Sequence, residues 1–92
     1  MKIEYDTAKN EVNISKHGVS FERVMELDWR NVVSQLDKRK EYGEVRILSY
    51  GMINGRLYTL VWTSRNSNIR PISFRKANKK EKNKYEKRTT IH

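Results

Sequence analysis

The sequence predicts an α+β fold: two short N-terminal helices, an antiparallel β meander and a C-terminal helix, all within one domain over residues 1–92. Three observations predict it. Two β-rich runs, Val45 to Ile53 and Arg56 to Ser64, flank Asn54-Gly55, the dipeptide that accepts positive φ at both central positions of a type I′ hairpin turn. Asp6 and Gly18 bracket Thr7 to His17 as an N-cap and a left-handed stop. Asn78 with Glu81 three residues on makes a capping box for the last helix.

Taken in order, Ile3 to Asp6 reads as a short strand and leads into the Thr7 to His17 helix. Ser20 caps a second helix, whose Phe21, Val24, Met25 and Leu27 share one side. Val32, Val33 and Leu36 suggest a strand, and Asp37 to Gly43 is too charged for a core and reads as a loop. After the Asn54-Gly55 hairpin and a turn at Arg65 to Asn68, Ile69 to Lys76 is the last strand. Pro71 lacks an N–H, so that strand has an exposed edge or absorbs the proline in a bulge. The final helix runs through Tyr85, and Thr89 to His92 are expected to fray.

The chain has 20 Lys and Arg against 11 Asp and Glu, a net charge of +9 that points to a polyanionic partner. Through Ser64 there are ten basic and nine acidic residues; from Arg65 onward there are ten and two. The positive field therefore belongs to the last third, where the alternative is a solvated lysine face that serves solubility alone. Without cysteine there is no disulfide, iron–sulfur cluster or thiolate zinc site, and two histidines do not make a metal cage, so no cofactor is expected. Met1 leads into Lys2-Ile3-Glu4-Tyr5-Asp6 rather than an apolar segment, and no apolar run approaches ~20 residues. The expectation is an intracellular, cytoplasmic protein.

Counting outward from the hairpin turn brings Arg46 opposite Thr63, and closing the next turn with Ser64 facing Ile69 brings Thr63 opposite Arg70. With strands ~4.8 Å apart, the two arginines stand about 10 Å apart at Cα and flank a space of phosphate size. Leu48, Val61 and Ile72 would form the next row. The alternatives are that Arg46 and Arg70 are edge charges held by Glu41 or Glu44, or that a bulge flips the parity. Trp62, Tyr50, Tyr58 and Phe74 are either base-stacking or core residues, while Tyr42 and Tyr85 read as exposed aromatics.

RNA is cut without metal when a base removes the 2′-hydroxyl proton, that oxygen attacks phosphorus, cations hold the phosphoryl oxygens and an acid protonates the leaving 5′-oxygen. His17 is of the residue type suited to proton transfer near neutral pH, and it stands at a helix C-terminus, or it is a bland helix-end cap. Arginines do not usefully release protons, so Arg46, Arg65, Arg70 and Arg75 would stabilise charge.

The stretch Tyr5-Asp6, Lys9, Asn13 and Lys16-His17-Gly18-Val19-Ser20-Phe21-Glu22 resembles the N-terminal signature of the BrnT toxins. The likeness continues through Asp37, Glu44-x-Arg46, Gly51, Gly55-Arg56-Leu57, Thr63-x-Arg65, Arg70-x-Ile72-Ser73-x-Arg75-x-Ala77, Glu81 and Tyr85. It implies a RelE-like fold and a metal-independent endoribonuclease toxin of a type II toxin–antitoxin pair. It also implies a cognate ribbon-helix-helix antitoxin, BrnA-like, through which alone the complex meets operator DNA. The family's charged positions correspond to Lys16, His17, Arg46, Arg65, Arg70 and Arg75. Lys40 stands where members commonly carry histidine, Thr7 replaces a frequent proline, and Pro71 and Phe74 replace an aliphatic residue and alanine.

The candidate catalytic set is His17, Arg46, Arg65 and Arg70, and the candidate RNA-binding set is Lys16, Lys40, Arg75, Lys76, Lys79, Lys80 and Tyr85. Two other functions fit the same residues: a non-catalytic basic nucleic-acid-binding module, and an inactive toxin relic kept as antitoxin partner and corepressor.

Overall fold

The computed structural model describes residues 2–89. Helix α1 (Thr7–His17) starts where Asp6 accepts the Ala8 N–H at 2.8 Å and stops where Gly18, at φ 72°, sends its N–H back to the Ile14 carbonyl. Strands β1 (Val33–Leu36), β2 (Ile47–Ile53), β3 (Arg56–Arg65) and β4 (Asn68–Lys76) form one antiparallel sheet in chain order, and helix α2 (Lys79–Thr89) follows. The Asn54-Gly55 turn takes positive φ at both residues, and Asn66-Ser67 repeats that geometry. Asn78 and Glu81 exchange the two hydrogen bonds of the predicted capping box, at 2.8 and 2.9 Å. Helix α2 continues past Tyr85 to Thr89; of the segment expected to fray, residues 90–92 lie outside the described residues.

Several expectations give way to better local physics. Ile3 to Asp6 is no strand but a single parallel bridge, Ile3 to Ile69. The segment after Ser20 is a 3₁₀ helix (Phe21–Glu26), whose three residues per turn bury Phe21, Val24 and Leu27 and leave Met25 44% exposed. An unforeseen 3₁₀ turn, Trp29–Asn31, precedes β1, and β2 begins at Ile47 rather than Val45. Pro71 satisfies both readings: β4 is an edge strand, and its register with β3 shifts between Val61 and Trp62. Ile72 is therefore passed over, Val61 faces Ser73, and the expected row of Leu48, Val61 and Ile72 does not form.

The N-terminal segments cover one face of the sheet, where Val19, Phe21, Val24 and Leu27 pack on Tyr58, Leu60, Ile69 and Phe74. Burying each large apolar side chain there contributes roughly 1.5–3 kcal/mol. Tyr58 and Phe74 thus belong to the core, as does Tyr50 on the other face, while Trp62 is half-buried with its ring N–H on Ser49 Oγ. Helix α1 docks by polar groups instead. Asn10 accepts the Phe21 N–H, and Asn13 both accepts the Phe74 N–H at 3.1 Å and donates to the Phe74 carbonyl at 2.8 Å. That pair satisfies backbone groups of edge strand β4, a site where pairing with another chain would otherwise start.

On the opposite face α2 seals the hairpin end, with Ala77 and Tyr85 over Tyr50, Met52 and Leu57. It crosses from β4, where Glu81 grips Arg75, toward β1, where Arg88 donates to Gln35. The other end of this face, beyond Val61 and Leu48, carries no helix.

Candidate active site

The open end of that face is a groove of about 510 Å³, lined on one side by Lys9, Val12, Asn13, Lys16 and His17 of α1. Residues 9, 12, 13 and 16 recur at helical spacing, so one stripe of α1 forms that wall. The opposite wall is Glu44 and Arg46 from the loop before β2, Thr63 and Arg65 of β3, and Arg70 to Ser73 of β4. Thr63 pairs with Arg70 in register, as the hairpin arithmetic predicts, and Thr63 Oγ1 donates to the Val45 carbonyl at 2.7 Å. Five permanent cations face one carboxylate, Glu44. Such an imbalance raises the local concentration of anions and accelerates their capture.

Arg46 reaches the groove because its loop is pinned from below. The charged run Asp37 to Gly43 is a loop, but contrary to the reading that it is too charged for a core it contains a buried anchor. The Asp37 side chain is fully buried and accepts Arg39 Nε and Nη2, both at 2.8 Å, and the Tyr42 hydroxyl at 3.2 Å. Those hydrogen bonds from Arg39 hold its carboxyl down at about 2, against the opposing effect of burial. The Asp37 N–H binds the Arg46 carbonyl at 2.8 Å, and the Arg46 guanidinium lies 4.1 Å from the Tyr42 ring centroid. Glu44 accepts only Arg46 Nε, at 3.0 Å, leaving the four N–H groups of Nη1 and Nη2 for a ligand. Arg70 has a looser neighbour, Glu4 at 3.9 Å. Arg46 thus has one of the partners that the edge-charge alternative named, Glu44, whereas Arg70 has Glu4 instead of Glu41 or Glu44, and both arginines line the groove.

The candidate catalytic residues His17, Arg46, Arg65 and Arg70 come together, with Lys16 beside them. The other candidates lie elsewhere. Lys40 sits 5.5 Å from the Tyr42 ring in a neighbouring depression. Arg75 is held in a two-pronged ion pair with Glu81 at 2.7 Å, where hydrogen bonds from Arg75 and the Asn78 N–H keep the Glu81 carboxyl below its ordinary value despite its burial. The Tyr85 hydroxyl donates to the Asn31 carbonyl, and Tyr42 and Tyr85 are half-buried. Lys76, Lys79 and Lys80 are exposed and line none of this groove. Sequence reasoning missed Lys9 and the position of Glu44 in the groove. The i, i+7 spacing of Lys9 and Lys16 was the available signal for the first.

No group of three or more His, Cys, Asp or Glu side chains suited to a metal ion occurs among the described residues, and none of their helices is long and apolar enough to cross a membrane.

The meander and first helix of this small basic α+β domain gather arginines, lysines and one histidine around one groove of about 510 Å³. The model of a known family, described as the ribonuclease toxin BrnT of type II toxin-antitoxin systems, matches residues 5–81. The chain belongs to this BrnT family, and with it to proteins that work against an antitoxin partner. No curated protein matches the chain.

Proposed function

We propose that this protein is a metal-independent endoribonuclease that cleaves cytoplasmic RNA to arrest translation and growth, and that a cognate ribbon-helix-helix antitoxin neutralises it. The observation that carries the reading is the convergence of Arg46, Arg65, Arg70 and His17, from a loop, two strands and a helix end, on one groove. Its volume lies within the range of small-ligand sites.

In this mechanism Arg46 and Arg70 flank the scissile phosphodiester and hold its two non-bridging oxygens, with Arg65 and Lys16 on the neighbouring phosphates. Glu44, the one carboxylate lining the groove, takes the proton of the 2′-hydroxyl, and the freed oxygen attacks phosphorus in line. The P–O5′ bond breaks, His17 gives a proton to the departing oxygen, and the products carry a 2′,3′-cyclic phosphate and a 5′-hydroxyl. Guanidinium charge replaces a metal ion as the electrostatic stabiliser, in keeping with a groove that offers one imidazole and one carboxylate.

The test is the purified chain on RNA in excess chelator, with the product ends identified, beside induction of the wild type and the Arg46→Ala, Arg70→Ala double variant in growing bacteria. Cyclic-phosphate ends and arrest by the wild type alone support the proposal. Cleavage that requires added divalent metal overturns the metal-independent mechanism, and two folded and equally harmless proteins overturn the enzyme reading in favour of a binding role.

A further inference from the structure

The two edges of the sheet, β4 and β1, are treated differently. Along β4 the outward backbone groups are taken. Ile69 donates to the Lys2 carbonyl and accepts the Glu4 N–H, each at 2.8 Å, Asn13 serves both groups of Phe74, and Pro71 has no N–H to offer. Along β1 the Asp37 N–H meets the Arg46 carbonyl, so by the alternation of an antiparallel ladder Val33 and Gln35 turn their backbone groups toward β2. Ser34 and Leu36 turn theirs outward. No backbone hydrogen bond between elements reaches either residue among the described residues. Val33–Leu36 also lacks the usual guards of an open edge, with no lysine, proline or bulge.

The two faces of this edge differ in chemistry. On the side of the N-terminal segments, Leu36, Ile47 and Trp62 lie opposite one another in register, an apolar row that runs out at Leu36, 55% exposed. On the side of α2, Arg88 donates to Gln35 Oε1 at 2.9 Å, and a neutral amide leaves that charge uncompensated. A strand laid beside β1 would therefore continue the row with an apolar residue opposite Leu36 and meet Arg88 with an acidic one opposite Gln35.

We infer that the open edge of β1 takes an extended segment of the antitoxin partner, in which apolar and acidic residues alternate; this rests on the antitoxin reading above and not on RNA cleavage. Backbone hydrogen bonds to Ser34 and Leu36 supply the grip, and the alternation supplies the choice of partner. A second copy of the chain is a poor occupant. Pairing β1 with itself through Ser34 and Leu36 sets Gln35 against Gln35, which brings Arg88 against Arg88 between two chains of net charge +9. The segment also touches the site's own loop, because Leu36 and Val45 line one depression of about 360 Å³ together with Glu44 and Arg46.

The experiment follows amide hydrogen exchange of the full chain with a peptide of about eight residues that alternates Val and Glu, with its Val–Lys counterpart, and with a backbone-N-methylated Val–Glu form. The Val–Glu peptide is expected to slow exchange at Ser34 and Leu36 by about fivefold or more, and the other two to leave it within about twofold. Leu36→Pro removes an outward N–H and no ladder bond, and should abolish the effect. Arg88→Glu, on the exposed side of α2, should lose the Val–Glu peptide and gain the Val–Lys one, a swap that misfolding does not produce. The same two amides are expected to be protected in the complex purified from cells that carry the chain with its cognate antitoxin. Equal protection by all three peptides or by none, protection by an all-deoxy strand, dimers of the chain alone that protect these amides, or a complex that leaves them unprotected overturns the inference. Failure of the chain to form any complex with the antitoxin overturns the antitoxin reading itself, and loss of RNA cleavage touches neither.

Discussion

Replacing Asp37 by asparagine removes the anchor of the loop that delivers Glu44 and Arg46, and the cost can be worked from the geometry. The carboxyl lies at about 2 instead of its ordinary 3.8. At about 1.36 kcal/mol per pH unit, that difference is worth about 2.4 kcal/mol. Arg39, its main partner, is 63% exposed, so solvent screening reduces the expected value to about 1.5 kcal/mol. In a domain of this size that corresponds to roughly 6–12 °C in Tm. Because the folded-state value is depressed, the stabilisation is fully present above the ordinary carboxyl range and is lost as pH falls from about 4 toward 2. Chemical denaturation of the wild type and Asp37→Asn at a series of pH values from 6 to 2 measures it. Using the difference between the two proteins cancels other acid-sensitive pairs, such as Glu81 with Arg75. The gap is expected to be widest at pH 5 to 6 and to close toward pH 2. A gap that stays constant over the whole range, or an asparagine variant as stable as the wild type at pH 6, refutes the reasoning.

Three further outcomes follow from particular contacts. Gly51→Ala places a Cβ 2.8 Å from Val32 Cγ2 and 3.2 Å from Leu27 Cδ2, and a stiff β-branched neighbour yields little. A loss of about 1–3 kcal/mol in urea denaturation is expected, with partial recovery in combination with Val32→Ala. Asn13→Ala leaves the Phe74 N–H and carbonyl without their side-chain partner, for a loss of about 2–4 kcal/mol and faster hydrogen exchange at the Phe74 amide. Binding of a non-cleavable, all-deoxy strand weakens with salt, and Lys16→Ala lowers the slope of log K against log salt by about 0.7, while Lys84→Ala, on the outer side of α2, leaves it unchanged.

Where the sequence was legible, the signals were short-range and stereochemical. Asn54-Gly55 permits little besides a tight hairpin, which fixed the register of β2 on β3, and closing the next turn with Ser64 facing Ile69 carried Thr63 opposite Arg70. Asp6, Gly18, Asn78 and Glu81 marked helix ends by filling local backbone hydrogen bonds. Whatever depended on distant partners stayed hidden. Asp37 sits in a charged run, and its burial follows only once Arg39 and Tyr42 close over it. The buried face of α1 is made by Asn10 and Asn13, which no apolar periodicity marks, while Val12 and Ile14 are exposed. Pro71 allowed an edge or a bulge and imposed both, which displaced Ile72 from the row that had been counted. In the site, Thr63 opposite Arg70 was legible from register, whereas Arg46 precedes β2 and lies in the loop. Glu44 in the groove was not, since it belongs to an irregular loop whose path is set by the Asp37 anchor.

The most direct measurement of the central claim is a double-mutant cycle on RNA cleavage with Arg46→Ala, Arg70→Ala and their combination, each verified as folded. If both guanidinium groups grip one scissile phosphodiester, each single change lowers kcat/KM by about 10²–10³, and the combination loses far less than the product of the two. Losses that simply multiply, or a single variant that cleaves as fast as the wild type, would show that the two arginines serve separate places and contradict the account.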